Sequence, residues 1–400
     1  MHKILRIMLP LLLFSGVGGS IFAQTNKGIP YNADEQAVGP YTLEDPLRFA
    51  DGRIVKSPAG WEARRSEILS LFEREMYGRI PSPEPVYLQH LADSCAAGVR
   101  RRLVRMSFRT DFTGPQIDWT VFTPEGRQGP LPVVLMLRFP DGVTELADPV
   151  QAVLGRGYAL VCAFYDGISP DIADPALQDY LAFSGVFDLW QDSGTPEGPR
   201  ALGAWAWALM RGMDMIEKLP GLDAGRVVLA GSSRLGKAAL VAAAWDRRFA
   251  VVGLNQTGGG GVPLAKRYFG ENVLSETTRF RHWFSPAYAK YAGCEAETMP
   301  FDQHLLVSCI APRPLLVEGF DRPWFDTRGE FLCLRAASPV WEFLGAPGLP
   351  DVGWPADNDS SAVGSHLGYV RRTGSHGLSS VDWTWLLDFA DRAFRRDVSP

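Results

Sequence analysis

Apolar residues recur along this chain in two periods, and their order outlines a fold. From Trp61 to Gly78, "WEARRSEILSLFEREMYG" places Ile68, Leu71, Phe72 and Met76 at helical spacing, which predicts an amphipathic helix. Short apolar runs follow at "RRLVRMSF" (101–108), "DWTVFTP" (118–124), "PVVLMLRF" (132–139) and "YALVCAFY" (158–165), and they read as strands. The long stretch "RALGAWAWALMRGMDMIEKLPG" (200–221) reads as a helix stopped by Pro220 and Gly221. Strand and helix periods then alternate: strand "RVVLAG", a helix from Lys237, strands "VVGLNQ" and "RPLLVEG", and a closing amphipathic helix "DWTWLLDFADRAFRR". Antiparallel-looking strands first, then strand–helix alternation, predict a single α/β domain with a largely parallel central sheet flanked by helices. "QTGGGG" (256–261) is a loop within that domain, because the pattern continues on both sides.

The N-terminus departs from this pattern. "MHKILRIMLPLLLFSGVGGSIFAQ" opens with Lys3 and Arg6, runs apolar from Ile7 to Phe14, then turns to small residues. That is the form of a secretory signal peptide, with cleavage expected after Ala23. The apolar run is too short to span a bilayer as a retained helix. The expected organisation is a signal peptide over 1–23, a lead and helix packing on the core over 24–100, and a catalytic domain over 101–400. The expected location is periplasmic or secreted, with no membrane contact after removal.

Composition adds exclusions. The formal charge is −5, or −7 once Lys3 and Arg6 are gone, and there is no Lys/Arg cluster, so nucleic acid is not an expected partner. The five cysteines show no CxxC and no His/Cys pairing at metal spacing, so no metal is expected. Cys162 and Cys309 sit in apolar runs and read as buried hydrophobes; a disulfide among Cys95, Cys294 and Cys333 stays open.

Candidate chemistry centres on "GSSRLG" (231–236). Gly231-x-Ser233-x-x-Gly236 is a looser form of the nucleophile elbow, in which a serine sits at a sharp strand-to-helix turn beside free backbone N–H groups. Ser232 is the other candidate, and a Gly-rich turn with an N-cap serine reads the same way. A serine elbow needs a base. His376, in the polar loop "RRTGSHGLSSVDW" before the last helix, is placed where one belongs; His366 competes, while His282 and His304 come earlier and read as structural. For the acid, "PRPLLVEGFDRPWFDTRGE" offers Glu318, Asp321 and Asp326, of which Asp321 lies just beyond the strand end.

These residues, with "GAWAWALMRGMD" before them and "RYFGENV", "HWF", "MPFDQHLLVSCIAPRPLLVEG", "WFDTRGEFL", "ASPVWEFLG" and "RTGSHGLSSVDWTWLLDFAD" after, resemble the bacterial glucuronoyl esterases, the fifteenth carbohydrate esterase family. The similarity runs from about Pro130 to Phe394. It implies a secreted α/β-hydrolase fold, and cleavage of the ester between xylan's 4-O-methyl-glucuronic acid and lignin alcohols in plant cell-wall glucuronoxylan. It implies no metal or organic cofactor. Carried over by position, Ser233 matches the nucleophile, His376 the base and Arg234 an oxyanion-stabilising arginine. Lys237 and Glu271 match residues that bind uronate hydroxyls, and Trp324 a substrate-contacting tryptophan.

Several positions depart from the resemblance. Gln256 stands where many members keep a glutamate, and Arg322 where others keep the acid, which leaves Asp321 as the expected triad acid. Ser232 replaces a Cys or His, Val370 a histidine, and "RFPDGV" (138–143) an Asn-containing loop. A carbohydrate acetyl esterase and a carbohydrate-binding pseudoenzyme are the alternative readings.

Overall fold

A nine-stranded mixed sheet runs through the computed structural model of the protein, whose described residues are 24–26, 28–127, 129–139 and 147–396. The expected signal peptide and part of the "RFPDGV" loop lie outside them. In chain order the main elements are β1 (Gln24–Asn26), β2 (Ile29–Tyr31), α1 (Pro58–Phe72), β3 (Tyr87–Ala96), β4 (Val99–Ser107), β5 (Gln116–Pro124) and β6 (Leu131–Arg138). Then come α2 (Ala147–Gly155), β7 (Ala159–Phe164), α3 (Gln178–Leu181), α4 (Ala201–Lys218), β8 (Leu222–Ser232), α5 (Arg234–Trp245) and β9 (Val251–Asn255). The chain closes with α6 (Val273–Arg279), α7 (Gln303–Ser308), β10 (Leu315–Phe320), α8 (Thr327–Phe343), β11 (Leu367–Arg372) and α9 (Ser380–Arg396).

The sheet order is β11-β10-β9-β8-β6-β7-β5-β4-β3. From β7 to β11 every pairing is parallel, while β5, β4 and β3 add an antiparallel edge. This is a single α/β-hydrolase-type domain with a largely parallel sheet, as the alternation of periods predicts. The parallel strands are buried on both faces, so their runs are continuously apolar rather than alternating.

Helices cover both faces. Helix α4 is buried nearly all round, with Trp205 and Trp207 fully enclosed, which explains why its sequence has hardly any polar face. It packs with α1 and α5 in the larger core, whereas α9 covers the opposite face through Trp383, Leu386 and Phe389. Helix α1 begins at Ser57, whose hydroxyl accepts the Gly60 N–H, and buries Trp61, Ile68 and Phe72.

Three elements were not anticipated. Strand β3 is exposed along most of its length, so it has no apolar run to reveal it. It pairs with β4 and carries an irregularity at His90/Ala92, as an outer strand with a free side tends to. The boundary drawn at residue 100 therefore falls within a pair of sheet strands. Helix α8 contains Pro339, and β11 spans only six residues. Helix α5 starts at Arg234, three residues before Lys237, because Ser233 already stands at the cap position. Cys162, Cys309 and Cys333 are buried free thiols, and Cys95 an exposed one.

Candidate active site

The register of the sheet gathers the chemistry at one edge. Ser232 lies opposite Asn255, Asn255 opposite Glu318, and Glu318 opposite Val370, so the carboxyl ends of β8, β9, β10 and β11 finish together. Ligand sites of open α/β sheets form beyond such ends.

Ser233 occupies the elbow with φ 57° and ψ −132°, a conformation that costs a non-glycine residue about 1–3 kcal/mol. Its flanking glycines are required by close approach. A Cβ on Gly231 would lie 2.5 Å from the Leu235 carbonyl oxygen, and one on Gly236 2.9 Å from Thr257 Cγ2. The Ser233 N–H donates to Asn255 O at 3.0 Å, and its own carbonyl accepts the Gly236 and Lys237 N–H groups. The N–H groups of Arg234 and Leu235 precede the first intrahelical bond of α5, at the positive end of the helix dipole. Ser232 turns inward instead and donates to Asn255 Oδ1 at 3.1 Å.

His376 is held from two sides. Its Nδ1 lies 2.7 Å from Gln256 Oε1, which also accepts the Gly377 N–H at 2.9 Å. A backbone N–H can only donate, so Oε1 is the acceptor in both bonds. The imidazole proton therefore sits on Nδ1 and leaves Nε2 free to take a proton. Arg372 holds the loop itself. Its guanidinium donates to the carbonyls of Thr373, Ser375 and Gly377 at 3.2, 3.1 and 2.6 Å, and grips Asp382 at 2.8 and 2.9 Å. Phe320 and Phe325 stack on the ring. Desolvation by this apolar cover, then the cations Lys237, Arg322, Arg234 and Arg372, push the imidazole down to about 4.

Asp321, the expected acid, is not at this imidazole; the partner of Nδ1 is the Gln256 carboxamide. Strand β10 stays paired with β11 through Phe320 and Arg372, and the Asp321 N–H continues that pairing by donating to Arg372 O at 3.0 Å. Asp321 thus leaves the sheet as an exposed residue. Gln256, by contrast, follows β9 directly and turns with φ 48°. Glu318 is buried one strand over, where it accepts from Asn255 Nδ2 at 3.2 Å; burial and then Asp382 push its carboxyl far above the usual range. Asp326 caps α8 and pairs with Arg267 at 3.0 Å, a structural role. His366 precedes β11, at the opposite end of that strand from the His376 loop. His282 Nε2 binds Asp171, and His304 Nε2 binds Glu44 O.

The remaining expected residues gather about the first turn of α5. Arg234 is ion-paired with Asp171, which also accepts from Tyr165, His282 and Trp283. Burial alone would raise Asp171, but the His282 hydrogen bond and the Arg234 guanidinium outweigh it and hold the carboxyl well below the usual range. Lys237 Nζ meets Glu271 Oε2 at 3.0 Å, both side chains nearly buried. The glycine loop makes room for this pair: a Cβ on Gly258 would lie 2.7 Å from Glu271 Oε2. Glu276 is a second buried carboxyl here, pushed up to about 8 by burial and by Glu271, with Lys237 opposing. Trp324 is half-buried, and its carbonyl accepts the Glu271 N–H at 2.8 Å.

Residues 30–35 strap across this wall. Asn32 O accepts the Gly270 N–H at 2.8 Å, Pro30 O accepts from Asn272 Nδ2 at 3.3 Å, and Glu35 pairs with Arg267. Tyr31 meets Trp324 edge-on at 5.0 Å. Sequence reasoning missed the strap, Asp171 and the Arg372–Asp382 pair, since all act through contacts distant in sequence or through loops without a motif. Among the described residues, no three His, Cys, Asp or Glu side chains gather as metal ligands would.

The parallel sheet, the strained serine between β8 and α5 and the histidine loop after β11 together define an α/β-hydrolase. The family model for fungal glucuronyl esterases matches residues 113–345. Carbohydrate esterase MZ0003, from an unknown prokaryotic organism, is 33% identical over 405 residues, spanning 90% of this chain and 91% of that one. The 4-O-methyl-glucuronoyl methylesterase of Phanerochaete carnosa is 27% identical over 353 residues, spanning 82% and 77%. A solved glucuronoyl esterase from Solibacter usitatus superposes with a TM-score of 0.83 at 32% identity, covering 90% of this chain and 100% of that one. The chain belongs to the glucuronoyl esterase family, and so to the carboxylic-ester hydrolases.

Proposed function

We propose that this protein is an exported serine esterase, periplasmic or secreted once residues 1–23 are removed. Its substrates are the glucuronoyl esters that join 4-O-methyl-glucuronoyl xylan to lignin alcohols. In this reading Ser233 Oγ attacks the ester carbonyl carbon while His376 Nε2 takes its proton. The resulting oxyanion is met by Arg234 and the first N–H groups of α5. Collapse breaks the bond to the alcohol, which leaves with the proton from His376. Water, deprotonated by the same nitrogen, then releases glucuronate from Ser233. Lys237 and Glu271 bind the sugar hydroxyls, and Trp324 packs on the sugar. The reading calls for no metal or organic cofactor.

The observation that carries it is one continuous set of bonds: Ser233 N–H to Asn255, and the next residue, Gln256, to His376 Nδ1. The family and the names of the relatives support the substrate class. Turnover of benzyl glucuronate, compared with p-nitrophenyl acetate, tests it. Ser233→Ala should lower kcat by on the order of 10⁴-fold or more, with Ser232→Ala retaining most activity. A dead Ser232→Ala beside an active Ser233→Ala would move the nucleophile. The carboxamide on Nδ1 favours one other reading, a carbohydrate-binding pseudoenzyme, for which neither ester would turn over. Turnover of the acetate alone would indicate an acetyl esterase.

A further inference from the structure

The surroundings of Trp324 carry positive charge that the reaction above does not use. Arg279, the last residue of α6, lies with its guanidinium carbon 5.8 Å from the Trp324 ring centre and 4.9 Å from that of Phe280. Arg322 is exposed and begins the turn Pro323–Phe325 that presents Trp324. Among the described residues, neither guanidinium has an ion-pair partner. Their neighbours differ: Arg234 pairs with Asp171, Lys237 with Glu271, Arg267 with Asp326 and Arg281 with Asp179. Asp321, the exposed carboxylate next to Arg322 in sequence, forms no ion pair with either.

An unpaired arginine here has a cost. Arg322 is among the cations that disfavour a proton on His376, and the reaction needs that proton in its transition state. An anion bound there would offset the effect. The scissile ester cannot be that anion, since an esterified carboxyl is neutral and the oxyanion it develops falls to Arg234. Guanidinium forks bind carboxylates in two parallel hydrogen bonds, and an indole face beside them suits the flat side of a sugar ring.

We propose that Arg279 and Arg322, beside Trp324, form a subsite for a free carboxylate on a sugar neighbouring the esterified uronate, with Trp324 at the boundary between the two sugars. The inference rests on the glucuronoyl ester reading and narrows it. The preferred glycan carries several uronates close together, rather than one isolated on a neutral chain.

The test compares two ester trimers: an oligouronide with one methyl ester and two free carboxylates, and the same trimer fully esterified. Benzyl glucuronate is run alongside. The partly esterified trimer should show a kcat/KM about tenfold higher at low salt, the advantage expected of a hydrogen bond to a charged group. Half-molar sodium chloride should remove most of that advantage, because a rim pair is screened. Arg279→Ala and Arg322→Gln should each bring the ratio towards one, and Arg279→Lys should keep part of it. Reading a ratio within each variant corrects for any general loss of activity or folded protein. If benzyl glucuronate is cleaved and the wild-type ratio is already near one, the subsite is overturned while the esterase reading stands. If benzyl glucuronate is not cleaved, the esterase reading itself fails.

Discussion

Gln256 decides how this site handles charge. The Gln256 carboxamide, held with its oxygen towards Nδ1, orients the imidazole, but it cannot neutralise imidazolium. With His376 held down to about 4, its imidazole is neutral throughout the range above that value. The acid limb of kcat/KM should therefore lie near pH 4, and the profile should stay level from about pH 5 to 8. Gln256→Glu adds the missing charge and favours protonation. The limb should move upward and kcat should rise about tenfold, which a pair of pH–rate profiles would reveal. An unmoved limb would mean that the new carboxylate does not reach Nδ1. Asp321→Asn, by contrast, should leave kcat within about twofold, because Nδ1 is already occupied. Ser233 and His376 could be singled out in the sequence because each sits in a local motif with its own glycines. The partner of Nδ1 could not: Gln256 and His376 are 120 residues apart, and only the registers of β9 against β10 and of β10 against β11 bring the carboxamide to the loop.

The loop that carries His376 owes its shape to one ion pair. Arg372 ends β11, Asp382 lies in the first turn of α9, and the bonds between them close the loop of residues 373–379. Asp382 also accepts the Ser379 N–H and hydroxyl, so it caps the helix and anchors the arginine together. Both side chains are buried, so removing one partner leaves an uncompensated charge worth about 3–5 kcal/mol. Arg372→Ala should lower stability by about that amount in urea melts, and lower kcat on the order of 100-fold with KM little changed. A kcat that survives would show that the loop finds its place without the clamp. The strand–turn–helix from β8 to α5 was readable because its periods and glycines agree. Strand β3 was not, since a polar outer strand resembles a loop. Helix α8 was hidden by Pro339 and by Gly329, whose N–H is taken by the Asp326 cap.

The assembled molecule shows why the first residues after the expected cleavage point matter. They add no strand to the main sheet, yet the strap from Pro30 to Glu35 holds the loop that bears Glu271 and backs Trp324 with Tyr31. The sequence reads there as a polar lead packing on the core, and its partners Gly270, Asn272, Arg267 and Trp324 lie more than 200 residues away, where no local pattern reveals them. Deleting residues 24–37 should raise KM for benzyl glucuronate about tenfold or more, while kcat and the acetate reaction change little. Equal losses on both substrates would assign the strap to folding instead. Purification adds a practical side to this contact. An affinity tag or fusion partner joined ahead of Gln24 would sit beside Tyr31 and Trp324, and a KM measured on such material would belong partly to the tag. Helix α9 runs 17 residues from a first turn beside the histidine loop, so its far end lies about 25 Å away, and a handle belongs there.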